Sequence, residues 1–296
     1  MATIKGELGI FPVSPDRKHP YFISGDLSST KALIFIGGLF NGMSDVPYLP
    51  ALSEALGTAG WKFAQFHWTS AYEGFGTSSL DTDVRELSAL VAHLRENGAT
   101  KVVIMGHSTG SQDVIHYLTA RARGVTLAPV DGGIMQAPVS DREHFAIDAS
   151  TASWTAALPR ATELVKAGKG SEILEADLGL RMSAYRLWSL LSPSGEDDYF
   201  SSDLPIEADG VHAHPLSASF GKLASPALAL FSSKDEYAHV ADIPALLARW
   251  TQVASGSPGQ LSTHIIEGAT HAVDDASLHP LLTSAVIGWL GQSIQL

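Results

Sequence analysis

The sequence predicts an α/β fold, a mostly parallel central sheet flanked by helices with a mainly helical insertion, and three observations carry that expectation. Short apolar runs alternate with amphipathic segments of helical length, the pattern of βαβ units. Gly106-His107-Ser108-Thr109-Gly110 stands between one such run, residues 102–105, and one such helical segment. The alternation stops after Pro138 and resumes at Ala227, which marks the insertion.

Taken in order, short extended segments at residues 9–13 and 21–24 come first. Ala32-Leu33-Ile34-Phe35-Ile36 is a continuous apolar run ending in Gly37-Gly38, as expected of a strand buried on both faces. A helix is predicted over residues 48–56 and a strand over 61–68. Leu80, Val84, Leu87, Val91 and Leu94 then share one helical face, with Asp81 and Asp83 in a first turn where the helix dipole favours negative charge. After the strand that ends at Met105, apolar Val114, Tyr117 and Leu118 at i, i+3, i+4 predict a helix starting directly after Ser108. Residues 133–137 supply the next strand.

From 141 to 216 the pattern is helical, interrupted by Pro159, by Gly168-Lys169-Gly170 and by Ser192-Pro193-Ser194-Gly195, with no buried strand. Residues 1–140 and 217–296 are therefore assigned to the core, and 141–216 to a lid over the C-terminal edge of the sheet, where open α/β sheets bind ligands. A strand at 227–231, a helix at 243–253, a strand at 262–266 and a helix at 278–290 complete the chain.

Composition narrows the function. An apolar content of 45% supports a sizeable core, and 31 acidic against 19 basic residues with no basic run longer than a pair speak against a nucleic-acid partner. The absence of cysteine removes disulfides, thiolate metal sites and a cysteine nucleophile. No apolar stretch reaches the about 18 residues of a membrane span, and Met1 to Glu7 lack the apolar core of a signal peptide, so a cytoplasmic location is expected. No phosphate-binding or dinucleotide glycine motif occurs, and no cofactor is expected. His212-Ala213-His214, with Glu207 and Asp209 before it, is read as shaping the lid and not as a metal site.

The glycine-framed serine is the chemical signal. A strand that turns sharply into a helix strains the serine backbone, lifts its hydroxyl clear of the sheet and sets it beside the amides of a helix N-terminus. A serine hydroxyl is a weak nucleophile and needs a base, which in turn needs an orienting acid; after such an elbow the order is serine, acid, histidine. The loop leaving residues 227–231 offers Asp235, with Glu236 as the alternative, whereas Asp242 lies too far into the following helix. Among 12 histidines, His271 in Gly268-Ala269-Thr270-His271 follows the last strand directly, while His264 falls within that strand and His279 on the final helix. Asp274 and Asp275 are close to His271 in sequence. The Thr109 amide is the first oxyanion donor, and the loop Gly37-Gly38-Leu39-Phe40-Asn41-Gly42 supplies the second, Leu39 or alternatively Phe40.

Substrate contacts are expected from Phe40, from Tyr72 and Phe75 in the loop Tyr72-Glu73-Gly74-Phe75-Gly76, and from Trp154 and Trp188 in the aromatic insertion. Met182, Tyr185 and Trp188 also recur at helical spacing, which suits packing of the insertion onto the body. Arg142, Arg160, Arg181 and Arg186 are candidates for binding polar substrate groups, with most of them read as solvated.

With strand, elbow, acid and histidine in this order, the chain resembles the α/β-hydrolase superfamily over nearly its whole length. More narrowly, Ile34-Phe35-Ile36-Gly37-Gly38-Leu39 with Asn41-Gly42, and Gly106-His107-Ser108-Thr109-Gly110-Ser111-Gln112-Asp113, are similar to a largely fungal group catalogued as a domain of unknown function. That group includes esterases that open the ester bonds of fusarinine C or its triacetyl derivative to release intracellular iron. The resemblance implies an intracellular serine esterase acting on a small-molecule ester, with a ferric siderophore as the candidate substrate. Gly37-Gly38 stands where the wider superfamily commonly has His-Gly, which leaves the second oxyanion donor open. The same frame also serves acyltransferases, thioesterases and hydrolase-like receptors.

Overall fold

In the computed structural model, which describes residues 3–294, β1 (Gly6–Ser14) and β2 (Arg17–Gly25) form an antiparallel hairpin at one edge of the sheet. Met1 and Ala2, part of the N-terminal stretch considered above, lie outside the described residues. The other strands are β3 (Lys31–Ile36), β4 (Lys62–Phe66), β5 (Lys101–His107), β6 (Gly132–Gln136), β7 (Ala227–Ser232) and β8 (Leu261–Ile266). They join one 8-stranded sheet in the order β1-β2-β4-β3-β5-β6-β7-β8. β2 runs antiparallel to β4, and every pairing from β4 to β8 is parallel. The predicted mostly parallel sheet is thus present.

The apolar strands have no polar face because both faces are covered. Side chains alternate between faces along a strand, so Ala32, Ile34 and Ile36 of β3 enter one core with Val102 and Ile104 of β5, while Leu33, Phe35, Val103 and Met105 enter the other. Helices α2 (Leu80–Glu96) and α3 (Thr109–Leu118) close the first face, and α1 (Leu49–Thr58) packs on the second. The Ser79 hydroxyl accepts the Thr82 amide to cap α2, and Asp81 and Asp83 sit in its first turn, as the dipole argument anticipated.

The insertion between β6 and β7 carries α4 (Asp141–Ile147), α5 (Ala152–Lys166), α6 (Glu175–Leu178) and α7 (Ala184–Leu191). Phe145, Trp154, Ala161, Leu174, Leu187 and Leu190 build an apolar cluster there that also takes in Phe75 from before α2. The later residues Tyr199, Phe200, Leu216 and Phe220 instead join the core of the first face with Trp250. Pro159 does not interrupt the helix as expected, because α5 continues through it. Proline forgoes one amide hydrogen bond, and the neighbouring apolar contacts of Ala157 and Ala161 keep the helix together. Arg186 is also corrected. It is 1% exposed, with Nη1 at 2.7 and 2.8 Å from the Asp197 carboxylate oxygens. Arg142 is held by Asp198 at 2.7 Å and by Asp203.

Beyond β7 come α8 (Ile243–Ala254), β8 and α9 (His279–Ser293), which restore the strand and helix alternation. Among the described residues no helix is long and apolar enough to cross a membrane.

Candidate active site

The site forms where the parallel strands end. β5 delivers Ser108 into α3 with φ 56° and ψ −125°, a left-handed backbone that a non-glycine residue adopts only at a cost of about 1–3 kcal/mol. The flanking glycines make the turn possible: a Cβ on Gly106 would lie 1.9 Å from the Gly110 carbonyl oxygen. Gly38 plays the same part from the opposite side, since a Cβ there would come within 2.7 Å of the Ser108 Cβ. The Gly37-Gly38 pair therefore lets the first loop run against the serine.

The loop after β7 places Asp235, and the loop after β8 places His271. The His271 Nδ1 lies 2.9 Å from both Asp235 oxygens, and both residues are buried. Glu236 does something different: its Oε2 accepts the backbone N–H of His271 at 2.9 Å. Asp242 caps α8 by accepting the Ala245 amide. His264 lies in β8, and His279 Nε2 contacts the Val273 carbonyl at 3.0 Å. Ser108 and His271 line one cavity of about 500 Å³. The Ser108 hydroxyl makes no hydrogen bond among the described residues.

Hydrogen-bond donors flank the serine. Gly38 and Asn41 close a tight turn, with the Asn41 amide 3.1 Å from the Gly38 oxygen and Asn41 Oδ1 accepting the Gly38 amide at 3.0 Å. Between them, the amides of Leu39 and Phe40 have no partner among the described residues, and Phe40 has φ 63°. The Thr109 amide belongs to the first turn of α3, where no helix carbonyl reaches it.

Of the residues read as substrate contacts, Phe40 and Trp154 line the cavity. Phe75 stands behind Phe40 as a buried T-shaped partner, with ring centroids 4.6 Å apart. Tyr72 covers Gly42 outside the lining, and Trp188 packs beside Tyr185 in the insertion. The two histidines of the His-x-His stretch part company: His212 Nδ1 meets Asp209 at 2.7 Å, while His214 stacks on Tyr199 at 3.8 Å.

Sequence reasoning missed three residues here. Gln136, at the end of β6 and fully buried, accepts the Tyr48 hydroxyl at 2.8 Å and meets His107 Nδ1 at 2.5 Å through Oε1. Its Nε2 donates to the His271 carbonyl at 3.1 Å, and its own carbonyl accepts the Ser108 amide at 3.0 Å. Its only signal in the sequence is a long polar side chain at the end of an otherwise apolar strand. His107 is the second. Burial holds it neutral by pushing its pKa down to about 3, helped by the neighbouring His271. The third is Asp141, whose Oδ2 accepts Gln112 Nε2 at 2.6 Å. Burial and the Asp197 charge push its carboxyl up to about 7, against the pull of Arg186.

Beneath α3 the Arg186 guanidinium faces more carboxyls than it can neutralise. Burial raises Asp83 to about 7, although Ser70 donates to its oxygens at 2.6 and 2.7 Å and Arg186 opposes the shift. The folded pKa lies above the unfolded value of about 3.9, so the folded protein binds the extra proton, and stability falls as pH rises from about 4 towards about 7. Asp83→Asn is expected to unfold at higher urea concentration than the wild type at pH about 8, by on the order of 2 kcal/mol, with little gain near pH 4. An equal difference at both pH values would show that Asp83 does not carry this dependence.

Known proteins fall into line with this architecture. A family model described as a protein of unknown function, DUF1749, matches residues 10–291. Fusarinine C esterase sidJ of Aspergillus fumigatus is 31% identical over 322 aligned residues, spanning 89% of this chain and 90% of that one. Esterase AN6793 of Emericella nidulans is 28% identical, spanning 88% and 87%. Among solved structures, the siderophore hydrolase EstB from Aspergillus fumigatus superposes with a TM-score of 0.77 at 26% identity and covers 99% of both chains. The resemblance read from the elbow and the Gly-Gly loop is borne out, and the chain belongs to the DUF1749 family, with an α/β-hydrolase fold.

Proposed function

We propose that the protein is a serine esterase in which Ser108 is the nucleophile, His271 the base and Asp235 the orienting acid. The observation that carries this reading is the buried His271–Asp235 contact at 2.9 Å beside the strained Ser108, both serine and histidine opening onto one cavity. With Nδ1 committed to Asp235, the imidazole keeps Nε2 for the reaction. Ser108 Oγ attacks the ester carbonyl carbon and gives its proton to Nε2, and the amides of Thr109 and of Leu39 or Phe40 receive the oxyanion. Collapse breaks the ester C–O bond, and His271 returns the proton to the departing alkoxide. Water then attacks the acyl-serine by the same proton path, releasing the acid and restoring Ser108.

The insertion, residues 141–216, acts as the lid in this reading, since Phe145 and Trp154 close one side of the cavity. The names of the relatives support an ester-linked siderophore as substrate. In this reading the ligand is opened in the cytoplasm and its iron is released. The ferric ion is cargo here. Acyl transfer of this kind runs on side chains and backbone amides of the protein alone.

Mass spectrometry of ester-linked hydroxamate trilactones, ferric and iron-free, incubated with the protein is expected to show the addition of one water per opened bond, with Ser108→Ala as the blank. Cleavage of simple esters without any trilactone opening would remove the siderophore assignment. Inertness towards every ester would remove the esterase itself.

A further inference from the structure

In the proposed triad, Ser108 and His271 follow strands that are not neighbours: β5 carries the serine, and β6 and β7 lie between it and β8. Proton transfer between the two side chains demands placement to within about 0.5 Å, and a misplacement of about 1 Å can cost on the order of a hundredfold in rate. The serine end is fixed, because the elbow follows β5 directly. His271 lies beyond Ile266, the last paired residue of β8, so the sheet ladder does not hold it.

Gln136, the last residue of β6 and fully buried, touches both ends. Its main-chain carbonyl accepts the Ser108 amide at 3.0 Å and the Ser111 hydroxyl at 2.8 Å, while its Nε2 donates to the His271 carbonyl at 3.1 Å. The side-chain amide has a single workable orientation. Oε1 accepts the Tyr48 hydroxyl and faces His107 Nδ1, and with the amide turned over, that oxygen would oppose the His271 carbonyl with no hydrogen between them. On the other side of the same residue, Glu236 Oε2 accepts the His271 N–H at 2.9 Å. Among the described residues, both backbone polar groups of His271 are thus held by side chains and neither by another backbone group.

Resting on the esterase reading above, we propose that Gln136 is a positioning residue, which ties the His271 loop to the peptide bearing Ser108 and so sets the imidazole Nε2 against the serine hydroxyl. The partners of His271 differ in what they refer it to. Asp235 and Glu236 both come from the loop after β7, so a movement of that loop carries His271 with it. Among the described residues, Gln136 is the one hydrogen-bond partner of His271 that also bonds the elbow. It does not line the cavity, so it acts through His271 and not on the substrate. The titratable groups facing its side chain are Tyr48 ahead of α1, His107 at the end of β5, and His271 with Asp235 behind it.

Gln136→Met is expected to lower kcat on a short activated ester by on the order of a hundredfold with KM little changed. It also leaves Tyr48 and His107 without an acceptor, so stability falls too, and Gln136→Glu separates the two effects by keeping that acceptor. While the introduced carboxyl is protonated, its O–H donates to the His271 carbonyl; once it ionises, two acceptors face each other. The rate of fluorophosphonate labelling of this variant, divided by that of the wild type, is therefore expected to fall as pH rises from about 5 to about 9. A purely electrostatic effect runs the other way, because a new negative charge raises the pKa of His271 and its loss of activity disappears at high pH. A ratio independent of pH, or wild-type kcat in Gln136→Met, overturns the proposal. The downfield proton NMR signal of the His271–Asp235 hydrogen bond reads the placement of the ring without turnover, and it is expected to shift or broaden in Gln136→Met. If the wild type neither hydrolyses the ester nor is labelled, the esterase reading fails separately, and an NMR signal unchanged by Gln136→Met then overturns the positioning role.

Discussion

Replacing Ser108 by alanine is expected to reduce turnover of a short activated ester roughly ten-thousand- to million-fold, the range seen when a triad nucleophile is removed and only binding and oxyanion stabilisation remain. The fold should survive, because the hydroxyl makes no hydrogen bond among the described residues and its removal leaves no buried group without a partner. The backbone conformation at φ 56° is set by Gly106, Gly110 and the Ser108 amide bond to Gln136, none of which the substitution touches. Circular dichroism and urea unfolding should therefore match the wild type. A fluorophosphonate probe should label the wild-type protein at Ser108 and leave the variant unlabelled. Unchanged turnover in a purified variant would end the assignment.

What could be read from the chain beforehand follows from how local each feature is. β3 and β5 were legible because burial on two faces demands an unbroken apolar run, and such a run is visible in a few residues. The positions of Ser108, Asp235 and His271 at strand ends were legible for a related reason: each is fixed by the strand directly before it. His264 and His279 could be set aside on the same ground. Gln136 was not legible as a hub, because its partners Tyr48 and His271 lie 88 and 135 positions away in sequence. Arg186 looked like a surface residue until Asp197, Asp83 and Asp113 were brought around it by packing of the insertion on α2 and α3. Tyr72 and Trp188 illustrate the same limit. Aromatic character suits both a pocket and a core, and only the tertiary fold places Trp154 in the lining and Trp188 beside Tyr185.

The adjacent acids Asp235 and Glu236 give the sharpest test of the orienting role, because both contact His271 yet at different atoms. Asp235→Asn is expected to cost about ten-thousand-fold in turnover. The amide nitrogen of asparagine would face Nδ1 as a donor, shift the imidazole proton to Nε2 and so block the nitrogen that must accept the serine proton. Glu236→Gln should cost no more than about tenfold, since the glutamine oxygen can still accept the His271 backbone N–H, and loss of a neutral bond there moves the ring without changing its tautomer. Measured as kcat/KM on a short activated ester, and independently as the rate of fluorophosphonate labelling, the two variants should separate by about three orders of magnitude. The labelling rate matters because it reports activation of Ser108 without requiring the second, hydrolytic half of the cycle. Equal losses in the two variants would mean that His271 depends on its backbone anchor as much as on its carboxylate. A larger loss in Glu236→Gln would transfer the orienting role to Glu236, despite the 2.9 Å contacts that both Asp235 oxygens make with Nδ1.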